Sequence, residues 1–488
     1  MPRTLSDLGL TARSGGNPVV TGLALDSRAL RQGEVFAALP GTRTHGAAFV
    51  PMALERGAAA VLTDAEGARM SGAAIADAGA ALVVASDPAA AMACAAALWF
   101  ARQPETLVAV TGTNGKTSVA TFTRQIWQAL GHAAINIGTT GVEGAYEAPA
   151  THTTPDAVTL HRLLAAAAEA GVTHAAMEAS SHGLDQRRLE GVALAAAAFT
   201  NLTQDHLDYH HTMAAYWQAK RGLFDRLLPE GAPAVININD PHGSDLAKGL
   251  RDHPILAVGH APEADLCLLA TRPDATGQTM RFSWNGRTHQ VALPLVGAFQ
   301  AENALLAAGL VLATGEDAEA TFAALSRLTG VRGRMQLAAT RRNGAAVFVD
   351  FAHTPDAIAT ALMALRPHVM GRILIVFGAG GDRDRGKRPL MGAAAAAHAD
   401  VLYLTDDNPR TEDAAAIRAA VRAGCPEANE VGDRAEAILR AVDALGPGDA
   451  LLIAGKGHET GQTIGTTTYP FDDLEQASIA VAALDGVA

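Results

Sequence analysis

The sequence predicts an α/β protein built on parallel sheets, and three features carry that expectation. A short apolar run, Leu107 to Val110, leads into a loop with two glycines, Gly112 and Gly115, and a helical pattern begins at Thr117. From Leu107 onward strand-like and helix-like stretches alternate, and the rhythm resumes after residue 345. Such alternation implies parallel strands covered by helices on both faces. Several of these strands also end in dense polar clusters, and open parallel sheets bind ligands beyond the carboxyl ends of their strands. At 488 residues the chain is too long for one hydrophobic core and suggests three domains.

Composition narrows the class. Apolar residues make up 49% and charged residues 18%, which fits a packed globular protein rather than a disordered one. The net charge of −12 argues against a broad nucleic-acid surface, so an anionic substrate must be met by local arginines and lysines. Cys94, Cys267 and Cys425 lie far apart, which suggests neither a disulfide framework nor a zinc site and fits a reducing compartment. The first residues have no apolar signal core, and the longest apolar stretch, Ala89 to Ala101, is too short to span a bilayer. The expectation is a soluble cytoplasmic protein with no membrane insertion and no nucleic-acid partner.

The first unit is placed at residues 1–101. Val19 to Leu25 alternates like a strand and runs into Asp26-Ser27-Arg28. Val35 to Leu39 reads as a second strand, a helical pattern starts at Ala48, and Ala59 to Leu62 is a third strand. Asp26-Ser27-Arg28 is either a polar ligand site or a turn with a surface ion pair.

The second unit, 102–331, opens on Thr111-Gly112-Thr113-Asn114-Gly115-Lys116-Thr117-Ser118. Loop and helix-terminus N–H groups point at an anion there, and the helix dipole reinforces them. Lys116 would neutralise nucleotide phosphates, and the Thr117 hydroxyl would ligate Mg²⁺. The match to G-x-x-x-x-G-K-[ST] is partial, because Val110 stands at the first glycine position. Strands follow at Ala134 to Ile137, Thr173 to Glu178, Ala195 to Thr200 and Ala234 to Ile238, with a more antiparallel region near 265–295 and a helix from Phe299 to Ala313. Glu178 ends one strand and is either a metal ligand or a buried, paired carboxylate. His206 follows the next strand and could complete an oxygen-and-imidazole site. Lys220 lies on a helix with an aromatic face; composition alone makes it a solvated or snorkelling lysine.

The third unit, 332–488, has strands at Ala345 to Val349, Arg372 to Phe377, Val401 to Leu404 and Ala450 to Ile453. They lead, in order, into Asp350-Phe351-Ala352-His353, Gly378 to Arg385, Asp406-Asp407-Asn408-Pro409-Arg410 and Gly455-Lys456-Gly457-His458-Glu459. Four polar clusters at strand ends would converge on one rim.

Taken together, Thr111 to Thr117, Glu178-Ala179-Ser180-Ser181-His182-Gly183, Asp205 to His210 and Ala219-Lys220 resemble the ATP-dependent amide ligases that build the peptidoglycan stem peptide. Asp407-Asn408-Pro409-Arg410 and Gly455 to Glu459 resemble the branch that adds diaminopimelate; lysine-adding members lack the arginine. The likeness runs from about residue 24 past 459, with the motifs in the family's order.

That resemblance implies an N-terminal domain for the UDP end, a central P-loop-type ATPase domain and a C-terminal Rossmann-like domain. It implies ATP and Mg²⁺ as cofactors, and UDP-N-acetylmuramoyl-L-alanyl-D-glutamate and meso-2,6-diaminopimelate as substrates of a monomeric enzyme. Gly112, Thr113, Asn114, Gly115, Lys116, Thr117, Ser118, Asn303, Arg334, Asp350 and His353 would meet the nucleotide. Ser27, Thr153, Thr154, Ser180, Gln186 and Arg188 would hold the UDP-muramoyl dipeptide. Lys220 matches a carbamylated lysine, which with Thr117, Glu178 and His206 would serve the metal; Lys116, Lys220 and His206 would be catalytic. Arg383, Asp407, Asn408, Pro409, Arg410, Gly455 and Glu459 would receive diaminopimelate, the arginine forks taking its distal carboxylate. Gln300 and Gln204 stand where the family has Asn and Arg, and Ser118 replaces a more usual Thr. Rivals are a lysine-adding or folate-polyglutamating sister, a P-loop motor, and a nicotinamide dehydrogenase. The last fails its glycine fingerprint at Arg383.

Overall fold

Strands of three separate sheets account for the alternation read along the chain. The computed structural model describes residues 3–41, 44–149, 152–274 and 276–486, and of Asp208 the backbone alone. The chain packs as two units, Met1–Ala257 with Gly309–Glu316, and Val258–Ala308 with Asp317–Ala488.

Besides the two-stranded pairing of Arg3–Thr4 with Val19–Val20, the first unit contains two sheets. Strands β1 (Ala12–Ser14), β2 (Gly22–Ala24), β3 (Glu34–Ala37), β4 (Ala60–Thr63) and β5 (Ala81–Val84) order as β1-β5-β4-β3-β2, parallel except for β1. Val19 to Leu25 is not one strand. Val19–Val20 pairs with Arg3–Thr4, whereas Gly22–Ala24 joins β3. The break falls at Thr21, whose N–H and hydroxyl turn to the carbonyls of Gly33 and Gln32.

The second sheet of this unit takes β6 (Thr106–Thr111), β7 (Ala134–Gly138), β8 (Gly141–Gly144), β9 (His174–Glu178), β10 (Leu194–Phe199) and β11 (Ala234–Asn237) in the order β8-β7-β9-β6-β10-β11. Only β8 runs antiparallel among the pairings with β6, β7, β9 and β10. Central strands buried on both faces read as unbroken apolar runs, and Leu107 to Val110 are all buried. Ala195 to Ala198 lies in β10 although alanine is the strongest helix former. Burial between two neighbouring strands overrides that propensity. Helix α1 (Lys116–Ala129) follows β6, starting one residue before the expected Thr117, and α2 (Met213–Gly222) carries Lys220.

In the second unit, β12 (Leu266–Pro273), β13 (Gln278–Trp284) and β14 (Arg287–Leu293) form the expected antiparallel meander. Helix α3 spans Ala298–Ala313. The C-terminal sheet takes β15 (Gln336–Thr340), β16 (Ala346–Asp350), β17 (Ile373–Phe377), β18 (Val401–Leu404), β19 (Asn429–Glu430) and β20 (Ala450–Ala454) in the order β15-β16-β20-β17-β18-β19. All but β15 are parallel. Alternate residues feed opposite faces: Phe348, Ile375 and Leu452 pack into one core, and Val349, Val376 and Ile453 into the other. A hairpin, β21 (Gly461–Ile464) and β22 (Thr467–Pro470), and helices α4 (Arg434–Asp443) and α5 (Asp473–Asp485) complete it.

Candidate active site

The loop between β6 and α1 is shaped by glycines at two points. Gly112 has φ 146°, and a Cβ there would stand 1.9 Å from Thr200 Oγ1 and 3.0 Å from Asn201 N. Gly115, at φ 87°, lies in the left-handed region just before α1. The carboxyl end of β10 holds the loop in place. Asn201 accepts the Thr113 N–H on its carbonyl at 2.8 Å and the Asn114 N–H on its side chain at 2.9 Å. Thr200 Oγ1 donates to the Asn114 carbonyl at 2.5 Å. Thr117 and Ser118 are buried in the first turn of α1.

Two lysines converge here. Lys116 Nζ donates to the carbonyls of Gly112 at 3.0 Å and Thr113 at 2.9 Å, and Lys220 Nζ donates to the same Gly112 carbonyl at 2.6 Å. Lys220 is no snorkelling residue: it is 1% exposed, with its ammonium 4.4 Å from the Tyr216 ring centre. Burial, and secondarily the neighbouring Lys116, pull its pKa down to about 6. Tyr216 shares a hydrogen bond of 3.1 Å with Thr113 Oγ1, and burial pushes its phenol up to about 12.

Glu178 ends β9 beside β6 and is 1% exposed. Its carboxylate accepts the Thr139 N–H at 2.8 Å and lies 3.4 Å from the Thr139 hydroxyl, which also meets Thr153 Oγ1 at 3.0 Å. Thr154 Oγ1 donates to the Glu178 carbonyl at 2.8 Å and accepts the Ser180 N–H at 3.0 Å. A Cβ at Gly138 would fall 2.0 Å from Glu178 Oε1, so only glycine leaves room for that carboxylate.

Arg188 continues the chain of contacts, donating to the Thr154 carbonyl at 2.6 Å and to Gln186 Oε1. Ser27, Gln186 and Arg188 all line one cleft of about 1130 Å³, with Arg28, Arg187 and Tyr209 also on its wall. Of the six residues expected for the UDP-linked substrate, three therefore line the cleft, while Thr153, Thr154 and Ser180 gather around Glu178. Asp26 and Arg28 form the ion pair that the sequence left as one alternative, at 2.8 Å, and both line the same cleft.

A divalent cation needs hard oxygen donors. The Glu178 carboxylate and the Thr117 hydroxyl suit Mg²⁺, and a buried neutral amine at Lys220 suits conversion to a carbamate. His206 stands beside the same Tyr216 ring as Lys220, with ring centres 6.2 Å apart. It adopts φ 53°, pairs with Asp205 at 3.5 Å, and meets the His182 ring edge-on at 4.8 Å. Among the described residues no hydrogen bond links it to Glu178.

In the second unit the four strand-end clusters interlock: the Gly455 N–H donates to the Asp350 carbonyl at 3.1 Å, and the Phe351 and His458 rings lie 5.0 Å apart. Asn408 Nδ2 donates to Glu459 Oε2 at 2.8 Å, and Lys456 Nζ to Asn408 Oδ1 at 2.9 Å. A Cβ at Gly455 would stand 2.5 Å from Asp407 Oδ2. Arg410, at φ 51°, donates to the Gly381 carbonyl at 2.8 Å, and a Cβ at Gly380 would meet both Arg410 Nη1 and Arg383 Cγ within 4 Å. Pro409 packs its carbonyl against Gly381. Arg383 is exposed.

Asp350 accepts the Met335 and Ala352 N–H groups at 2.7 and 2.8 Å, and burial pushes its pKa up. The Arg334 guanidinium lies over the Phe351 ring at 4.8 Å. His353 donates Nδ1–H to the Phe351 carbonyl at 2.8 Å and is held below its usual pKa by burial. Asn303 donates to Gln300 Oε1 at 3.0 Å.

Sequence reasoning missed Thr139, Asn201, Tyr209 and Tyr216. Two of them carried a readable signal. Thr139 follows a strand end, and Tyr216 lies four residues before Lys220 on one helix face.

Comparison with known proteins gives a consistent result. Residues 19–100 match the family description "Mur ligase family, catalytic domain", 110–311 "Mur ligase middle domain", and 333–457 "Mur ligase, glutamate ligase domain". A protein of Agrobacterium fabrum named UDP-N-acetylmuramoyl-L-alanyl-D-glutamate–2,6-diaminopimelate ligase is 49% identical over 470 residues, covering 96% of this chain and 94% of its own. A Bradyrhizobium diazoefficiens protein of the same name is 48% identical over 471 residues, 95% of each chain. A solved structure with that name is 34% identical, covers 99% of each chain and superposes with a TM-score of 0.74.

Proposed function

Since the chain belongs to the Mur ligase family, we propose that it is an ATP-dependent ligase adding meso-2,6-diaminopimelate to UDP-N-acetylmuramoyl-L-alanyl-D-glutamate. The shared Gly112 carbonyl carries the chemical part of this reading, because it gathers a phosphate-loop lysine and a buried amine at one point. The relatives' names carry the choice of substrates. The reaction belongs to peptidoglycan precursor synthesis, hence to cell-wall biogenesis, cell shape and division, and takes place in the cytoplasm. No described helix is long and apolar enough to cross a membrane.

A carboxylate is a poor electrophile, so its oxygen must first become part of a leaving group. The free side-chain carboxylate of the D-glutamyl residue attacks the γ-phosphorus of ATP; the bond to the β-phosphate oxygen breaks, giving an acyl phosphate and ADP. The amino group of diaminopimelate then attacks the acyl carbon, loses a proton, and inorganic phosphate leaves. Lys116 and the loop N–H groups lower the repulsion between the two anions and hold charge on the transferring group. Gln186, Arg188 and Ser27 position the UDP-linked substrate in the cleft. Thr117, Glu178, His206 and carbamylated Lys220 would hold Mg²⁺, which supplies further screening of phosphate charge. Arg410 and Arg383 read the distal carboxylate of diaminopimelate, and Asp407, Asn408 and Glu459 accept its ammonium.

ADP release is measured with the UDP-muramoyl dipeptide plus meso-diaminopimelate, plus lysine, or alone. Turnover only with diaminopimelate is expected. Equal turnover with lysine would replace the amino-acid assignment, and turnover without either co-substrate would replace the ligase reading with an ATPase.

A further inference from the structure

The amino end of the central sheet carries a donor group that the ligase chemistry does not use. His132 follows α1, His174 opens β9, and Glu316 follows α3. Their ligand atoms all lie within 4.8 Å of one another, and all three side chains are half-buried. His132 Nε2 is 2.8 Å from Glu316 Oε1, and the two imidazole rings face each other with centres 4.1 Å apart and planes 36° from parallel.

The surroundings orient the imidazole of His174. Thr173 Oγ1 lies 2.8 Å from His174 Nδ1 and 3.4 Å from the Ala133 carbonyl. With the hydroxyl proton directed to that carbonyl, the oxygen accepts Nδ1–H and leaves the Nε2 lone pair of His174 available. Such a partner on the far nitrogen is the usual support of a metal-bound histidine. Burial, then the neighbouring His132, holds His174 below its ordinary pKa. Four-coordinate zinc with bonds of 2.0–2.1 Å needs donors about 3.3–3.4 Å apart. Small rotations of these side chains cover that difference.

We propose that His132, His174 and Glu316 form a site for a zinc-class transition cation, with solvent in the fourth position. Two imidazoles and one carboxylate suit zinc and its neighbours rather than Mg²⁺, which prefers oxygen alone. The site is separate from the nucleotide loop. β9 runs from His174 to Glu178, so the two ends stand about 13 Å apart at 3.3 Å per residue. Its role is to pin Glu316 and the turn after α1 to the start of β9.

Full-length protein in saturating Mg²⁺ is titrated with Co²⁺, followed by visible absorption, and then with competing Zn²⁺. One equivalent of Co²⁺ giving intense four-coordinate bands, displaced by Zn²⁺, is expected. H174N and E316Q should each weaken binding at least tenfold, while H206N leaves it unchanged. E316Q keeps a hydrogen-bonding side chain and decides the matter if H174N does not fold. Absence of such bands, equal affinity in E316Q, or loss of the bands in H206N would each overturn the assignment.

Discussion

Lys116 and Lys220 donate to one acceptor, the Gly112 carbonyl, at 3.0 and 2.6 Å. Two ammonium groups so placed, one of them out of water, do not both stay charged easily. Lys220 yields, with burial as the first cause and Lys116 as the second. At neutral pH it is an uncharged amine beside the phosphate loop, the form that attacks CO₂ to give a carbamate.

Activity should therefore depend on dissolved CO₂ and on pH. Preparation in CO₂-free buffer is expected to lower turnover several-fold, and bicarbonate to restore it; truncation of the side chain, Lys220→Ala, should abolish the response. As pH falls through about 6 the amine protonates and carbamate formation stops. The folding balance has the same sign. Between pH 6 and about 10 the unfolded chain binds a proton that the folded chain lacks, so stability rises with pH across that window. Turnover indifferent to CO₂ at pH 7.5 would remove the carbamate from the mechanism.

Gly112→Ala places a methyl group against Thr200 Oγ1 and the Asn201 backbone, at a φ that side chains avoid. Overpacking of this kind costs about 1–3 kcal/mol. The expected result is a lowered Tm and a loss of ATP-dependent turnover of at least a hundredfold. Near-normal kinetics with ATP would show that the loop does not cradle its phosphates.

Arg410→Ala should raise the KM for diaminopimelate far more than the KM for ATP. Removing one partner of a buried charged contact costs about 2–5 kcal/mol, so a change of roughly 30-fold or more is anticipated. The Arg410 backbone donates to the Thr463 carbonyl at 3.0 Å and accepts the Gly465 N–H at 2.7 Å, and these bonds keep the loop in place in the variant although the guanidinium contact to Gly381 is lost. Equal changes in both KM values would count against the assignment.

Arg434 and Asp473 form a fully buried pair with two contacts of 2.7 Å, joining α4 to α5, and Arg434 also donates to the Ala454 carbonyl at 3.0 Å. Asp473→Ala alone leaves an uncompensated charge and should cost about 3–5 kcal/mol in denaturant unfolding. Arg434→Met with Asp473→Leu should cost much less than the two single changes added together. Simple additivity would show that the pair is not coupled.

The sequence by itself determined the alternation of strand and helix, the phosphate loop, and the strand-end clusters, because periodicity, glycine placement and buried apolar runs are local properties. Glu178, Asp350, Asn408 and Gly455 were all legible as positions at or just beyond strand ends. Only the tertiary structure decided which of these groups meet. It joined Asn408 to Glu459, set Thr139 against Glu178, placed the His206 ring beside His182 and Tyr216, and buried a Lys220 that composition alone makes solvated. A lysine's charge state depends on what surrounds it in three dimensions: desolvation comes from packing that no local pattern encodes, and here it turns an ordinary surface cation into a neutral amine.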